Sequence, residues 1–177
     1  VELNRNYAVI ITTNAGLWRY KIGDTVTFTS IDPYRIKISG RTKHFINAFG
    51  EEMIIENAEF AIAEACRKTN ASIENFTAAP RYLEVGKKGG HEWIIEFETE
   101  PDDLMRFSQI LDEKLREINS DYDAKRYKDL ALIAPVVHSA PPGTFYTWMK
   151  ERGKLGGQNK VPRLSNNREY VDSLLKY

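Results

Sequence analysis

The hydrophobic pattern of this chain changes period partway along. Up to about residue 40 the apolar positions fall in short runs rich in β-branched and aromatic residues: Tyr7-Ala-Val-Ile-Ile-Thr12, Gly16-Leu-Trp-Arg-Tyr-Lys-Ile22, Thr25-Val-Thr-Phe-Thr-Ser30 and Arg35-Ile-Lys-Ile-Ser39. Such residues suit a pleated, half-buried surface. Asn14-Ala15-Gly16, Gly23-Asp24 and Asp32-Pro33 separate the runs and read as turns. The stretch therefore predicts an antiparallel meander with no helix. From residue 55 the period becomes helical. Ile55, Ala58, Ile62, Ala65, Cys66 and Thr69 share one face, which predicts an amphipathic helix over 56–69.

Strands and helices then mix. Strand-like runs fall near 72–83 and 92–98, with Gly86-Lys-Lys-Gly-Gly90 between them as a hairpin loop. Pro101-Asp-Asp opens a helix carrying Leu104, Phe107, Leu111, Leu115 and Ile118 on one face. Asp121–Lys128 predicts a short helix, and 130–137 a strand that Pro135 places at an edge or an end. Thr144–Arg152 is helical in character after Pro141-Pro-Gly143, and a polar loop over 153–167 precedes a last short helix. The fold class predicted is α+β: a mixed β-sheet flanked by helices, preceded by the short antiparallel meander. The boundary falls near residue 42, dividing the chain into 1–42 and 43–177.

Composition narrows the function classes. The 177 residues fit one domain, or one domain and a fragment of another. With 42% hydrophobic and 28% charged residues the chain is globular in type. No apolar run approaches the roughly 20 residues that span a bilayer, so no membrane partner is expected. Lys plus Arg equals Asp plus Glu at 25 each, which gives no global pull on nucleic acid. One cysteine, Cys66, forbids an intrachain disulfide and fits a reducing, cytoplasmic setting. The chain opens at Val1 and enters a β-rich stretch at once, which reads as a piece of a longer protein.

Three short motifs carry chemistry. Gly23-Asp24 offers a carboxylate that could accept two hydroxyls of a nucleotide ribose, and charged acceptors make such bonds strong. The bland reading is a two-residue hairpin turn. Gly40-Arg41-Thr42-Lys43 follows a strand. Arg41 could bond ribose or phosphate oxygens, and Lys43 could absorb a domain rotation, since hinges are a few element-terminal positions. The bland reading is a solvated basic turn. Lys160 sits in a Gly-Gly-Gln-Asn loop before Val161-Pro162-Arg163. A mobile ammonium there could stabilise charge on a phosphate, whereas most lysines are simply exposed. His44, His91 and His138 show no metal-ligand spacing with each other or with Cys66, so no protein-held metal is expected. Cys66 on an apolar helix face reads as an inert core thiol. Trp18, Trp93 and Trp148 read as packing residues.

In their order along the chain these motifs resemble an adenylate-forming enzyme. Tyr20-Lys-Ile-Gly-Asp24 resembles that superfamily's ribose motif, Gly40-Arg41 with Ile46, Gly50, Met53 and Glu59 its hinge motif, and Lys160-Val-Pro-Arg163 its catalytic-lysine motif. Ala15-Gly-Leu-Trp-Arg-Tyr-Lys-Ile-Gly-Asp24, Glu51-Glu52 and Gln158-Asn-Lys-Val-Pro-Arg163 are similar to one branch, the auxin-responsive acyl-acid amido synthetases. Arg41-Thr-Lys-His-Phe-Ile-Asn47 resembles a bacterial member. The resemblance implies that ATP, with Mg2+, converts a carboxylic acid into an acyl-adenylate, which an amine such as an amino acid then opens to an amide. It implies that Tyr20, Gly23, Asp24 and Arg41 bind nucleotide, that Lys43 is the pivot and that Lys160 is catalytic. It also implies a mobile C-terminal lid domain, preceded by the last strands of a larger domain. Lys43, Asn47 and Asn159 depart from the superfamily's commoner residues. The superfamily's phosphate loop and acyl pocket have no counterpart in this chain, so the chain alone is expected to be inactive. Two alternatives stay open: an acyl-CoA ligase, which differs in using a thiol acceptor, and a non-catalytic α/β binding module.

Overall fold

The computed structural model describes residues 1–41, 45–82, 88–129, 131–156 and 159–177. Three strands come first: β1 (Asn6–Ile11), β2 (Tyr20–Ile31) and β3 (Tyr34–Arg41). They form an antiparallel sheet in the order β1-β2-β3, with the tight turn at Asp32-Pro33 joining the last two. One expected turn is absent. Gly23-Asp24 lies inside β2, which runs unbroken past it. The reason is visible in the register. Ala8 pairs with Thr25 but Ile10 pairs with Lys21, so β2 accommodates extra residues there as a bulge. Gly23, at φ +90°, supplies the backbone angle that the bulge needs.

The second part is built on a three-stranded mixed sheet, as the alternation of strand and helix patterns predicts. β4 (Phe45–Ile46) and β5 (Met53–Ile54) pair as a small ladder leading into α1 (Ile55–Thr69). Then follow β6 (Ser72–Tyr82), β7 (Gly89–Thr99), α2 (Leu104–Ile118), α3 (Ser120–Arg126), β8 (Val136–Ala140), α4 (Thr144–Glu151) and α5 (Glu169–Leu174). β6 and β7 are antiparallel, and β7 and β8 parallel. β8 begins after Pro135 rather than at residue 130, because proline has no N–H to give the ladder. Gly89 and Gly90 belong to β7 rather than to a loop; Gly86 and Lys87 of the expected hairpin loop lie outside the described residues.

Both faces of the central strand β7 are buried. His91, Trp93, Ile95 and Phe97 alternate with Glu92, Ile94 and Glu96, and all are inaccessible or nearly so. The first face packs with Phe76 and Ala78 against Ala58, Ala61, Ile62 and Ala65 of α1 and Phe107, Leu111 and Leu115 of α2. The second packs Ile94, Ala79 and Ala140 against Phe145, Trp148 and Met149 of α4 and Val171 and Leu174 of α5. The two buried glutamates are satisfied, which is what burial of a carboxylate requires. Glu96 accepts the N–H groups of Gly143 (2.5 Å) and Phe145 (2.9 Å) at the start of α4. Glu92 accepts from Arg168 Nη2 (2.7 Å) and meets His138 Nε2 (2.8 Å).

Helix starts follow local chemistry. Asp103 Oδ1 accepts from Met105 and Arg106 N–H and caps α2; Asn119 Oδ1 accepts from Tyr122 N–H and caps α3. Asn57 Oδ1 accepts from Ile54 N–H at the start of α1. Trp93 and Trp148 are buried as expected. Trp18 is not: 79% of it is exposed, on the loop before β2. Cys66 is half-buried against the first core.

Candidate functional site

The first motif is set by β2. Tyr20 opens the strand, exposed and paired with Ile11. A Cβ at Gly23 would meet nothing within 4 Å, so the glycine is there for its backbone angle and not for lack of space. Asp24 is half-buried and stands directly opposite Arg41, with Thr25 opposite Gly40. Antiparallel pairing thus unites the first motif with the start of the second. Lys43, the candidate pivot, lies with Thr42 and His44 outside the described residues.

The second motif continues on the other side of that gap. Ile46 and Met53 are fully buried and fix the small ladder to the first core. Gly50 adopts φ +85° in the turn between them. Glu51, which the resemblance marked without a role, is fully buried. Its Oε1 lies 2.9 Å from His91 Nε2, its Oε2 accepts from Phe49 N–H at 2.7 Å, and its backbone carbonyl accepts from Asn119 Nδ2 at 2.9 Å. Burial alone would raise the Glu51 pKa. The hydrogen bond and charge of His91, with the backbone bonds of Glu51 and Phe49, outweigh it and hold the carboxyl below its usual range. His91 is therefore a partner for this turn, a role that histidine spacing alone could not reveal.

The third motif is anchored at its base. Ala78 N–H donates to Arg163 O (2.9 Å) and Ser165 N–H to Ala78 O (3.1 Å), so 163–165 lie along the outer edge of β6 as a short parallel bridge. Arg163 bonds Glu59 of α1 through Nη1 and lies over the Phe76 ring, 5.1 Å from its centroid. The second and third motifs are thereby joined as well. Asn166 Oδ1 accepts from Asn47 N–H at 2.7 Å, tying the loop to the turn just beyond residue 44. Lys160 itself is exposed, and among the described residues it forms no hydrogen bond or ion pair.

Beside Arg163 an open groove of about 530 Å³ runs between α1 and β6, past Glu59, Ile62, Cys66 and Ile73. Burial pushes the Cys66 thiol up, which disfavours the reactive thiolate. Among the described residues no three His, Cys, Asp or Glu side chains gather as a metal site, and no helix is long and apolar enough to cross a membrane.

Comparison with known proteins follows these landmarks. Residues 56–169 match the model of the GH3 family C-terminal domain, and residues 1–41 that of the GH3 family central domain. Over 189 aligned residues the chain is 30% identical to an indole-3-acetic acid-amido synthetase, GH3.10 of Arabidopsis thaliana, covering 98% of this chain and 30% of that protein. Its fold is similar to that of the GH3.15 acyl acid amido synthetase, with a TM-score of 0.76 at 19% identity over 99% of this chain and 33% of that one. A structure of AtGH3.15 acyl acid amido synthetase in complex with 2,4-DB gives a TM-score of 0.71 at 20% identity, again over 99% of this chain and 33% of that one. The chain spans about a third of the length of the relatives it matches.

Proposed function

We propose that this chain, which belongs to the GH3 family, is the C-terminal part of an ATP-dependent acyl-acid amido synthetase. The observation that carries the reading is that the likeness to an amido synthetase spans 98% of the chain. Residues 1–42 would be the terminal strands of a large domain and 43–177 a mobile lid. The parent protein is read as a bacterial, cytoplasmic enzyme.

The reaction has two steps. A carboxylate oxygen attacks the α-phosphorus of ATP, forming acyl-AMP and expelling pyrophosphate. An amine, such as that of an amino acid, then attacks the acyl carbon; AMP leaves and the amine gives up a proton. In the first step charge builds on the α-phosphate oxygens. Lys160, exposed and without a hydrogen bond or ion pair among the described residues, is suited to meet that charge with its ammonium. Asp24 would accept the ribose hydroxyls from its place on a rigid strand, with Tyr20 and Gly23 of the same strand completing the nucleotide site and Arg41 supporting the nucleotide from the strand beside it. Lys43 would be the pivot about which the lid turns between steps. Mg2+ would enter this reading with ATP, as the partner of its phosphates.

The test is pyrophosphate exchange by the full-length protein against a panel of carboxylic acids. Acid-dependent exchange, followed by amide formation when amino acids are added, is expected. Exchange with release to coenzyme A but not to amines would favour the ligase alternative. No exchange with any acid would contradict the proposal.

A further inference from the structure

The geometry points to Thr77 as the residue that positions Lys160, an inference that rests on the adenylation reading above. Thr77 lies on β6 with its side chain fully buried. A buried hydroxyl is costly unless it is bonded. This one donates to the carbonyl of Pro162 at 2.6 Å, across 85 residues of sequence. The backbone ladder along the edge of β6 begins only at Arg163 O and Ser165 N–H. Thr77 extends that anchorage one residue further toward the lysine.

What lies between the anchor and Lys160 is narrow. Pro162 has its φ fixed by its ring. Val161, preceding a proline and β-branched, is confined to extended backbone. Once the Pro162 carbonyl is held, few conformations remain for the two peptide units that lead back to Lys160. Arg163 is pinned independently by Glu59 and Phe76, and Asn166 by Asn47. Those contacts fix the base of the loop; Val161 packs against the second core, and among the described residues Thr77 supplies the side-chain hydrogen bond to Pro162. The arrangement separates two needs of a catalytic lysine on a loop. The side chain stays exposed, with no bond among the described residues, while its backbone is held from below. Thr77 touches no reacting atom in this account, and acts through Lys160.

The test compares Thr77→Val and Thr77→Ser in the full-length enzyme. Valine keeps shape and volume but lacks the donor; serine keeps the donor. Thr77→Val should lower kcat of adenylation by roughly tenfold to a hundredfold, the scale of a small misplacement of a catalytic group. KM for ATP and amide formation from supplied acyl-AMP should stay near the parent values. Thr77→Ser should restore most of the loss. In a Lys160→Ala background Thr77→Val should cost little more, because the residue acts through the lysine that is gone. If Lys160→Ala impairs adenylation but Thr77→Val does not, this inference is overturned and the adenylation reading stands. The same holds if Thr77→Val slows both half-reactions equally, with or without Lys160, which is the signature of a merely structural residue. A silent Lys160→Ala would remove the premise and the inference together.

Discussion

Asp24 and Arg41 stand opposite each other across β2 and β3. The pairing brings together two motifs that are separate in sequence, and puts the acid on a strand whose backbone is held by neighbours on both sides. If Asp24 accepts the ribose hydroxyls, Asp24→Asn should weaken ATP binding by the full-length enzyme by about 1–3 kcal/mol, the loss of a charge-assisted bond. The fold should survive, because Gly23 and not Asp24 provides the unusual backbone angle. Calorimetric titration with ATP checks it. Unchanged affinity would return Asp24 to a role in the bulge alone.

Asp112 and Arg126 form a buried pair between α2 and α3, with Arg126 Nη2 2.6 Å and Nε 2.8 Å from the carboxylate and the Tyr122 hydroxyl donating to it at 2.7 Å. Burial, then the charge of Asp112, holds the Tyr122 hydroxyl well above its usual pKa, so it stays a donor. Asp112→Ala removes the carboxylate that balances the buried guanidinium, leaving its bond to Leu132 O (3.0 Å) in place, and should cost about 3–5 kcal/mol for the uncompensated charge. Urea unfolding measures this. A loss below about 1 kcal/mol would mean that water or a neighbour takes over the arginine.

The Glu51–His91 contact makes stability depend on acid. Glu51 has a folded-state pKa below its ordinary 4.5. A carboxyl depressed on folding contributes stability that is present above 4.5 and lost as pH falls through the folded value. Glu92, lowered by Arg168 and His138 against its burial, acts in the same direction. The thermal midpoint should therefore fall below about pH 4.5, and Glu51→Gln should make that fall shallower without removing it. An acid limb of unchanged slope in the variant would assign the effect elsewhere.

The periodic elements were legible in the sequence because period reports burial directly. The helical face of Ile55, Ala58, Ile62 and Ala65 became α1, and the Leu104–Leu115 face became α2. What escaped was whatever depends on a distant partner. Gly23-Asp24 has the composition of a turn, and only pairing with β1 and β3 shows it to be a bulge. Glu92 and Glu96 have the look of solvated positions on a strand; α4 and α5 cover them. Trp18 resembles a packing residue and is open to solvent. At the site, the motifs name Asp24, Arg41 and Lys160, but no local pattern announces that Glu59 meets Arg163 or that Thr77 holds Pro162. Those contacts cross from 85 to 104 residues of sequence.

The central claim is that Lys160 stabilises charge at the α-phosphate during adenylation. Single-turnover kinetics of each half-reaction in full-length Lys160→Ala tests it most directly. Adenylation should slow by on the order of a hundredfold or more, mainly in kcat, since the contact strengthens in the transition state. Amide formation from supplied acyl-AMP should be much less affected. Lys160→Arg should recover only part of the loss, because a planar guanidinium cannot replace a compact ammonium at a crowded phosphate. Adenylation at the parent rate by Lys160→Ala would contradict the account.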